Sequence, residues 1–373
     1  LYSVTVRAQA RLQIYARNHG VRSVLEGLLY QQVYRRQGNM SEESIDKIGI
    51  LSSLSHHCAA RMEALSVHLS DSNIQHVESF IRGCENLDQG EIDLLVVPSN
   101  LVWEGREILA NKGLSIVAAL QRNHPFHVLV SSDDPWHLKA DAIILCEEKI
   151  IQRQLLRRRG KIPRRLDIRT YSEFDLDSNS GEDLRKAQQM ITENKIDGFI
   201  IPRGCYSLAG LNQRRHAMLP DAEEMAGMRF VPAPFVDLML VVARQGFHPH
   251  IIQSWTDNEA KNAWLVTKTI LERTPLEFHN RIGIHYRQRN VGPILEEAER
   301  VKDLFILETL HNPEGEVDDL LRYEIILETI NEDGTMTTGI ERVGPVDKLY
   351  VDIHFMMNDW NTILERMPFW EEG

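Results

Sequence analysis

Residues 91–100, EIDLLVVPSN, and residues 195–204, KIDGFIIPRG, follow one grammar: Ile-Asp, two residues, two β-branched residues, proline and a loop. A continuous apolar run of this kind marks a strand buried on both faces of a parallel sheet. Proline closes it, because a residue without an N–H cannot donate to the next ladder position. A helical stretch precedes each copy. Residues 73–87 place Ile74, Val77, Phe80 and Ile81 on one face behind Ser72 or Asn73 as N-cap, and Leu184, Ala187, Met190 and Ile191 follow a Ser-Gly-Glu-Asp sequence resembling a capping box. Duplication of helix, strand and loop predicts two similar α/β lobes around a cleft, with ligand groups supplied by the loops at the strands' carboxyl ends. The first of those loops, residues 98–103, contains no acid, base or nucleophile.

The rest of the chain fills in this frame. Residues 3–7 alternate like a first strand, and residues 10–35 and 44–69 carry apolar side chains at helical spacing. Residues 114–120, 127–131 and 142–146 read as strands and 147–159 as a helix. The helix continues into RRRGKIPRR at 157–165, which reads as a solvated helix end or as a clamp for an anion or acidic partner. After the second copy, Pro232-Ala233-Pro234 imposes an extended crossing before another buried strand. A helix is expected over 257–272. Strand signals in GIHY, DLFILETL, YEIILETI and TMTTGIERV, then a closing strand and helix from Tyr350, predict a smaller α+β domain. The expected division is 1–107 with 235–250 as the first lobe, 108–234 as the second, and 251–373 as the C-terminal domain.

Charge and cysteine usage narrow the function classes. A net charge of −12 argues against general nucleic-acid binding. Cys58, Cys84, Cys146 and Cys205 lie far apart and form no CxxC pair, which predicts buried thiols in a reducing, cytoplasmic compartment. No apolar run approaches the ~20 residues of a membrane span. The sequence begins at Leu1 rather than Met, which leaves a removed targeting segment open. His56, His57 and Cys58 are adjacent; consecutive residues on a helix point about 100° apart and cannot share one ion, so no metal is expected. His248 and His250 read as a surface turn after a strand.

Four blocks, taken in order, resemble the porphobilinogen deaminase (hydroxymethylbilane synthase) family. GEIDLLVV is similar to the family's GEIDLAVHSLKDVP. AIILCEEKIIQRQLLRR at 142–158 sits where the family has VGTSSLRRQAQLLARR, sharing the Gln152, Gln154, Leu155 and Leu156 register. Residues 195–204 sit at the family's strand ending in AAAG. VPAPFVDLMLVVAR at 231–244 sits at LPAPGQGALAIEAR, and SVTVRA looks like the family's first strand, with Arg7 at its arginine. The resemblance spans nearly the whole chain. It implies two periplasmic-binding-protein-like (type 2) α/β lobes of discontinuous sequence around a cleft, plus a smaller C-terminal α+β domain.

The resemblance also implies a chemistry: a cysteine holding a dipyrromethane, an aspartate managing pyrrole protons, and arginines and serines binding carboxylate arms. Carried over, most of these positions are replaced. The family's Lys-Asp falls on Asn100 and Leu101, and its His-Ser on Val97 and Pro98. Its paired arginines fall on Ile150 and Ile151, its serines on Glu147 and Glu148, and its cysteine at about Phe278. The glycines of PAPGQG have become Phe235 and Asp237. Arg7 is retained, with Lys149, Arg153, Arg185 and Arg203 as nearby substitutes. The expected ligand-binding positions are therefore Arg7, Ser99, Asn100, Lys149, Arg153, Arg203 and Cys205, with no catalytic residue, no metal and no covalent dipyrromethane. The expectation is a non-catalytic binding or assembly protein linked to tetrapyrrole metabolism, taking a small carboxylated ligand or a protein partner. Two alternatives stand beside it: an active deaminase with a divergent site, or another enzyme on the same scaffold.

Overall fold

The computed structural model of the chain describes residues 45, 47–51, 74–157, 165–220, 229–311, 315, 317, 320–332 and 334–365. The chain divides into a unit Leu1–Ile45 and a unit Asp46–Gly373, and every element below belongs to the second. Arg7, the expected elements at 3–7 and 10–35, the His56-His57-Cys58 cluster and most of the basic run lie outside the described residues.

Strands β1 (Ile48–Leu51) and β2 (Ile74–Val77) come first, then helix α1 (Phe80–Asp88), started by Ser79, whose hydroxyl accepts the Arg82 N–H at 3.2 Å. Strand β3 (Leu94–Pro98) is the first copy of the repeat and is buried throughout; it runs straight into α2 (Ser99–Glu104), α3 (Arg106–Asn111) and β4 (Leu114–Leu120). Next come β5 (His127–Ser131), β6 (Ala142–Leu145), α4 (Lys149–Leu156), β7 (Leu166–Arg169) and α5 (Gly181–Thr192). The second copy is β8 (Gly198–Pro202), followed by α6 (Arg203–Leu208) and β9 (Arg215–Met218); β10 (Met239–Arg244) then returns to the first sheet.

The two sheets share one plan. The first has the order β2-β1-β3-β10-β4 and the second β7-β6-β8-β5-β9. In each, three parallel strands are followed by one antiparallel strand and then the fifth. This is the type 2 periplasmic-binding-protein arrangement of an α/β lobe. The Ile-Asp of each repeat does the same work in both. Ile92 and Ile196 are buried. The Asp93 carboxylate accepts the Lys47 N–H at 3.1 Å, and Asp197 accepts the Ile143 N–H at 2.9 Å, so each aspartate ties its strand to the neighbouring parallel strand. Both copies end alike: Pro98 (φ −64°, ψ 142°) and Pro202 (φ −56°, ψ 140°) each hand over to a short helix.

Several elements differ from the sequence reading. Ile74–Val77 is a strand, and the helix begins only after Ser79, because pairing with Ile48–Leu51 overrides the helical i, i+3 spacing of Ile74 and Val77. Within the helix expected over 44–69, Ile48–Leu51 is a buried strand; Gly49 lies so close to Ile92 that a Cβ would stand 2.6 Å from its side chain. Leu114–Leu120, read with the second lobe, pairs with β10 in the first sheet.

In the C-terminal part, Asp257 caps helix α7 (Asn258–Arg273) by accepting the Ala260 N–H at 2.8 Å. Strand β11 (Ile282–Arg289), helices α8 (Val291–Val301) and α9 (Leu304–Thr309), strands β12 (Arg322–Ile330) and β13 (Thr337–Pro345) and helix α10 (Leu349–Glu365) complete it. The three strands form one antiparallel sheet. DLFILETL is helical rather than extended because Asp303 accepts the Ile306 N–H at 3.1 Å and so starts a turn. The closing segment is a single helix, with Leu349, Ile353, Met356, Met357, Trp360 and Leu364 buried at helical spacing. Among the described residues no helix is long and apolar enough to cross a membrane.

A buried ionic layer joins this sheet to the second lobe. Glu328 is buried and receives Arg157, Arg229 (3.3 Å) and the Gln154 amide (3.2 Å), while Arg153 donates to the Ile330 carbonyl at 2.8 Å. Arg287 forks onto Glu324 at 2.8 and 3.0 Å. Gly334, at φ +68°, lets the β12–β13 turn reach α4: a Cβ there would lie 2.5 Å from the Leu156 carbonyl. His285 lies in the same layer, buried, with neither ring nitrogen partnered. Burial first, then Arg287, Arg122, Arg229 and Arg289, hold its pKa well below the usual histidine range.

Two outcomes follow from this layer. Glu328→Ala leaves the half-buried Arg157 guanidinium without its carboxylate and Arg229 with Glu341 alone, and is expected to cost about 3 kcal/mol, read from urea unfolding, with Glu328→Gln costing less. His285 takes up a proton when unfolded but not when folded, so stability is full above its unfolded pKa of about 6.5 and declines as pH falls below it. His285→Phe should flatten that decline in denaturation curves recorded from about pH 7 to pH 5.

Candidate functional site

The carboxyl ends of the central strands of both sheets meet around a cavity of 190 Å³. Pro98 and Asn100 reach it from the end of β3, Glu147 and Glu148 from the end of β6, and Ile200, Ile201 and Pro202 from the end of β8. His127 comes from the start of β5, which runs antiparallel and so begins where its neighbours end. Ser178 and Asn179 close one side, and the crossing segment 234–239 closes another.

That crossing is held in an unusual backbone shape. Phe235 (φ +70°) and Asp237 (φ +57°) both occupy the left-handed region, which a bulky residue rarely enters. Asp237 is buried, and its carboxylate accepts the Asn123 N–H at 2.7 Å and the His124 N–H at 2.6 Å. The Phe235 ring lies 6.2 Å from Trp103 and 5.6 Å from Trp264, and Trp103 lies 6.2 Å from His279. An aromatic chain thus links α2, the crossing, α7 and the 279 loop, with Arg106 over Trp103 at 4.6 Å.

The lining is acidic. Glu147, Glu148 and Asp237 contribute to it, and among the described residues no lysine or arginine does. Glu147 accepts the Tyr171 N–H at 2.9 Å. Loss of bulk water within the cleft, reinforced by Glu147, raises the pKa of Glu148. His127 is buried with both nitrogens unpartnered, and burial holds its pKa down to about 4, so its ring is neutral at physiological pH.

The expected site residues separate. Asn100 lines the cavity. Ser99 is buried beside it, its hydroxyl without a partner, and Leu101 is half-buried. Lys149 is exposed at the start of α4, and Arg153 is committed to Ile330. Arg203 turns along its own helix to the Ser207 hydroxyl at 2.8 Å, and Arg185 donates to the Ala209 carbonyl. Cys205 is buried in the second lobe's core, where burial, then Asp237, push its thiol up to about 12, which favours the protonated thiol. Ile150 and Ile151 are core residues beside Ile144 and Leu155, and Phe278 sits in a single turn, Leu276–Phe278. Among the described residues no three His, Cys, Asp or Glu converge as metal ligands would.

His127, Asp237, Ser178 and Asn179 escaped the sequence reading. His127 carries no local signal, since it reaches the cavity through strand order, and Asp237 was visible only as the replacement of a family glycine. Glu147 and Glu148 were visible only as departures from the family's serines.

A larger cavity, 240 Å³, lies under the C-terminal sheet beside α8 and α9. Its charges answer one another: Arg229 bonds Glu341 and Glu328, Arg287 bonds Glu324, and Arg289 bonds Glu297. Among the described residues of that lining only Asp303 has no ion-pair partner, and its carboxylate caps its own helix at the Ile306 N–H, so the inter-lobe cavity is the stronger site.

No family model matches the chain, and no curated protein matches it. Similar solved structures include an ABC transporter protein from Parabacteroides distasonis, at 15% identity over 64% of this chain and 78% of that chain, TM-score 0.35. Immunogenic lipoprotein A from Vibrio vulnificus is similar at 14% identity over 59% of this chain and 99% of that one, TM-score 0.32. A nutrient-binding protein from Burkholderia cenocepacia, bound to methionine, is similar at 13% identity over 62% and 94%, TM-score 0.31.

Proposed function

We propose that the chain is a non-catalytic protein that binds a small molecule between its two lobes, on a scaffold descended from the porphobilinogen deaminase family. One observation carries the binding reading: the cavity lies where the strand ends of both sheets converge, and its lining offers hydrogen-bonding groups but no activated nucleophile. A catalytic acid–base pair would need groups poised near neutral pH within reach of each other. Of the lining groups only Glu148 is shifted toward neutral pH; His127 is buried and held neutral, and Cys205, outside the lining, is buried and held protonated, so among the described residues Glu148 has no such counterpart.

The family link draws support from the crossing segment. The two positions with left-handed backbone, Phe235 and Asp237, are those at which the family's PAPGQG pattern carries glycine. A backbone shape suited to glycine, kept after the glycines were replaced, is what descent from such a pattern would leave. We include in the proposal the three-part division of the chain, with β4 counted in the first lobe.

Incubation of the purified protein with porphobilinogen should show no consumption, and Ehrlich's reagent should detect no bound dipyrromethane; turnover or a bound chromophore would overturn the non-catalytic reading. The binding reading predicts that some compound in a panel spanning cationic, neutral and anionic metabolites raises the melting temperature. Asn100→Trp, which fills the cavity, should abolish that rise. At the crossing, Phe235→Gly should be more stable than Phe235→Ala by about 1 kcal/mol, the reverse of the ordinary order. Both lose the ring contacts, but only alanine keeps a Cβ at positive φ.

A further inference from the structure

Resting on the proposal that the inter-lobe cavity binds a ligand, we infer that this ligand is a small organic ammonium ion, held by the Glu148 carboxylate. Three observations converge. The described residues around the cavity bring Glu147, Glu148 and Asp237 to one cleft with no lysine or arginine among them. A carboxylated ligand would enter against like charge between low-dielectric walls, where such repulsion is strongest. Glu147 and Asp237 are already answered by backbone N–H groups at 2.9, 2.7 and 2.6 Å, whereas no described residue answers Glu148, which is open to the cleft.

The second observation is independent of the acids. His127 lines the same cavity, is buried, and has neither ring nitrogen bonded. A buried polar side chain without a partner carries a desolvation cost that a ligand can offset. A neutral imidazole presents one lone-pair acceptor, and an ammonium N–H is a donor that fits it. Asn100, Ser178 and Asn179 add further oxygen acceptors, and Phe235 adds an aromatic wall.

Geometry distinguishes an organic cation from a metal. A divalent ion needs several ligands converging at fixed distances, and among the described residues no three His, Cys, Asp or Glu do so. An ammonium needs only one carboxylate and a few acceptors. The volume of 190 Å³ is that of about six waters at roughly 30 Å³ each, enough for a short aliphatic amine.

Putrescine, neutral butanediol and anionic succinate share one chain length and differ in charge, so titration calorimetry of the full chain with each reads the charge preference directly. Putrescine should bind, butanediol should bind at least tenfold more weakly, and succinate should give no heat. Glu148→Gln should weaken putrescine at least tenfold with the melting temperature of the free protein no lower, and Asn100→Trp should abolish binding. Absence of putrescine binding, an unchanged affinity in Glu148→Gln, or equal binding of magnesium chloride alone would overturn the inference. If succinate or butanediol binds instead and Asn100→Trp blocks it, the cation assignment fails while the binding function stands. If Asn100→Trp leaves binding of every compound unchanged, the binding function fails as well.

Discussion

The site depends on two carboxylates that never reach it. Asp93 and Asp197 each accept a backbone N–H from the neighbouring parallel strand, Lys47 in one lobe and Ile143 in the other. A hydrogen bond to a charged acceptor is among the stronger ones a protein makes. Here it sets where β3 and β8 begin relative to their neighbours. With the start of each strand fixed, so is its end five or so residues on, and Pro98 and Pro202 bring both strands to the same cavity.

A second buried charge system sets the C-terminal sheet. Glu328 is shared by Arg157 and Arg229 with a Gln154 amide alongside, in a layer that also holds the Arg287–Glu324 fork. Bringing charges into a low-dielectric interface is favourable only when each is paired and hydrogen-bonded, and here the pairing crosses from the second lobe to the sheet. Close backbone approaches at Gly283 and Gly334 leave no slack: a Cβ at Gly283 would lie 2.8 Å from the Val231 carbonyl.

The crossing segment carries the opposite kind of constraint, strain kept in place by packing. A non-glycine residue in the left-handed region costs roughly 1–2 kcal/mol. At Asp237 the two backbone N–H groups on its carboxylate offset that cost. At Phe235 the aromatic neighbours Trp103 and Trp264 do so, each such ring pair contributing about 0.5–1.5 kcal/mol. The same segment walls the cavity, so the residues that hold the backbone also shape what the lobes enclose.

The duplicated Ile-Asp-strand-proline pattern was legible in the sequence because a buried parallel strand must be apolar without interruption and must stop where proline removes a donor; the α/β class and the two matching central strands follow from that. Short elements were not legible. Ile48–Leu51 and Ile74–Val77 are four residues each, too few to distinguish a period of two from one of 3.6, and their strand character comes from pairing with each other and with β3. DLFILETL and YVDIHF have strand composition and became helices through an N-cap and a packed face. The basic residues near the family positions could be named from the sequence, but Arg153 and Arg203 spend their guanidiniums on Ile330 and Ser207. Only the tertiary structure decided the sign of the cavity. His127, Glu148 and Asp237 lie on three separate segments, and the charge a ligand meets is the sum of whatever the strand order brings together.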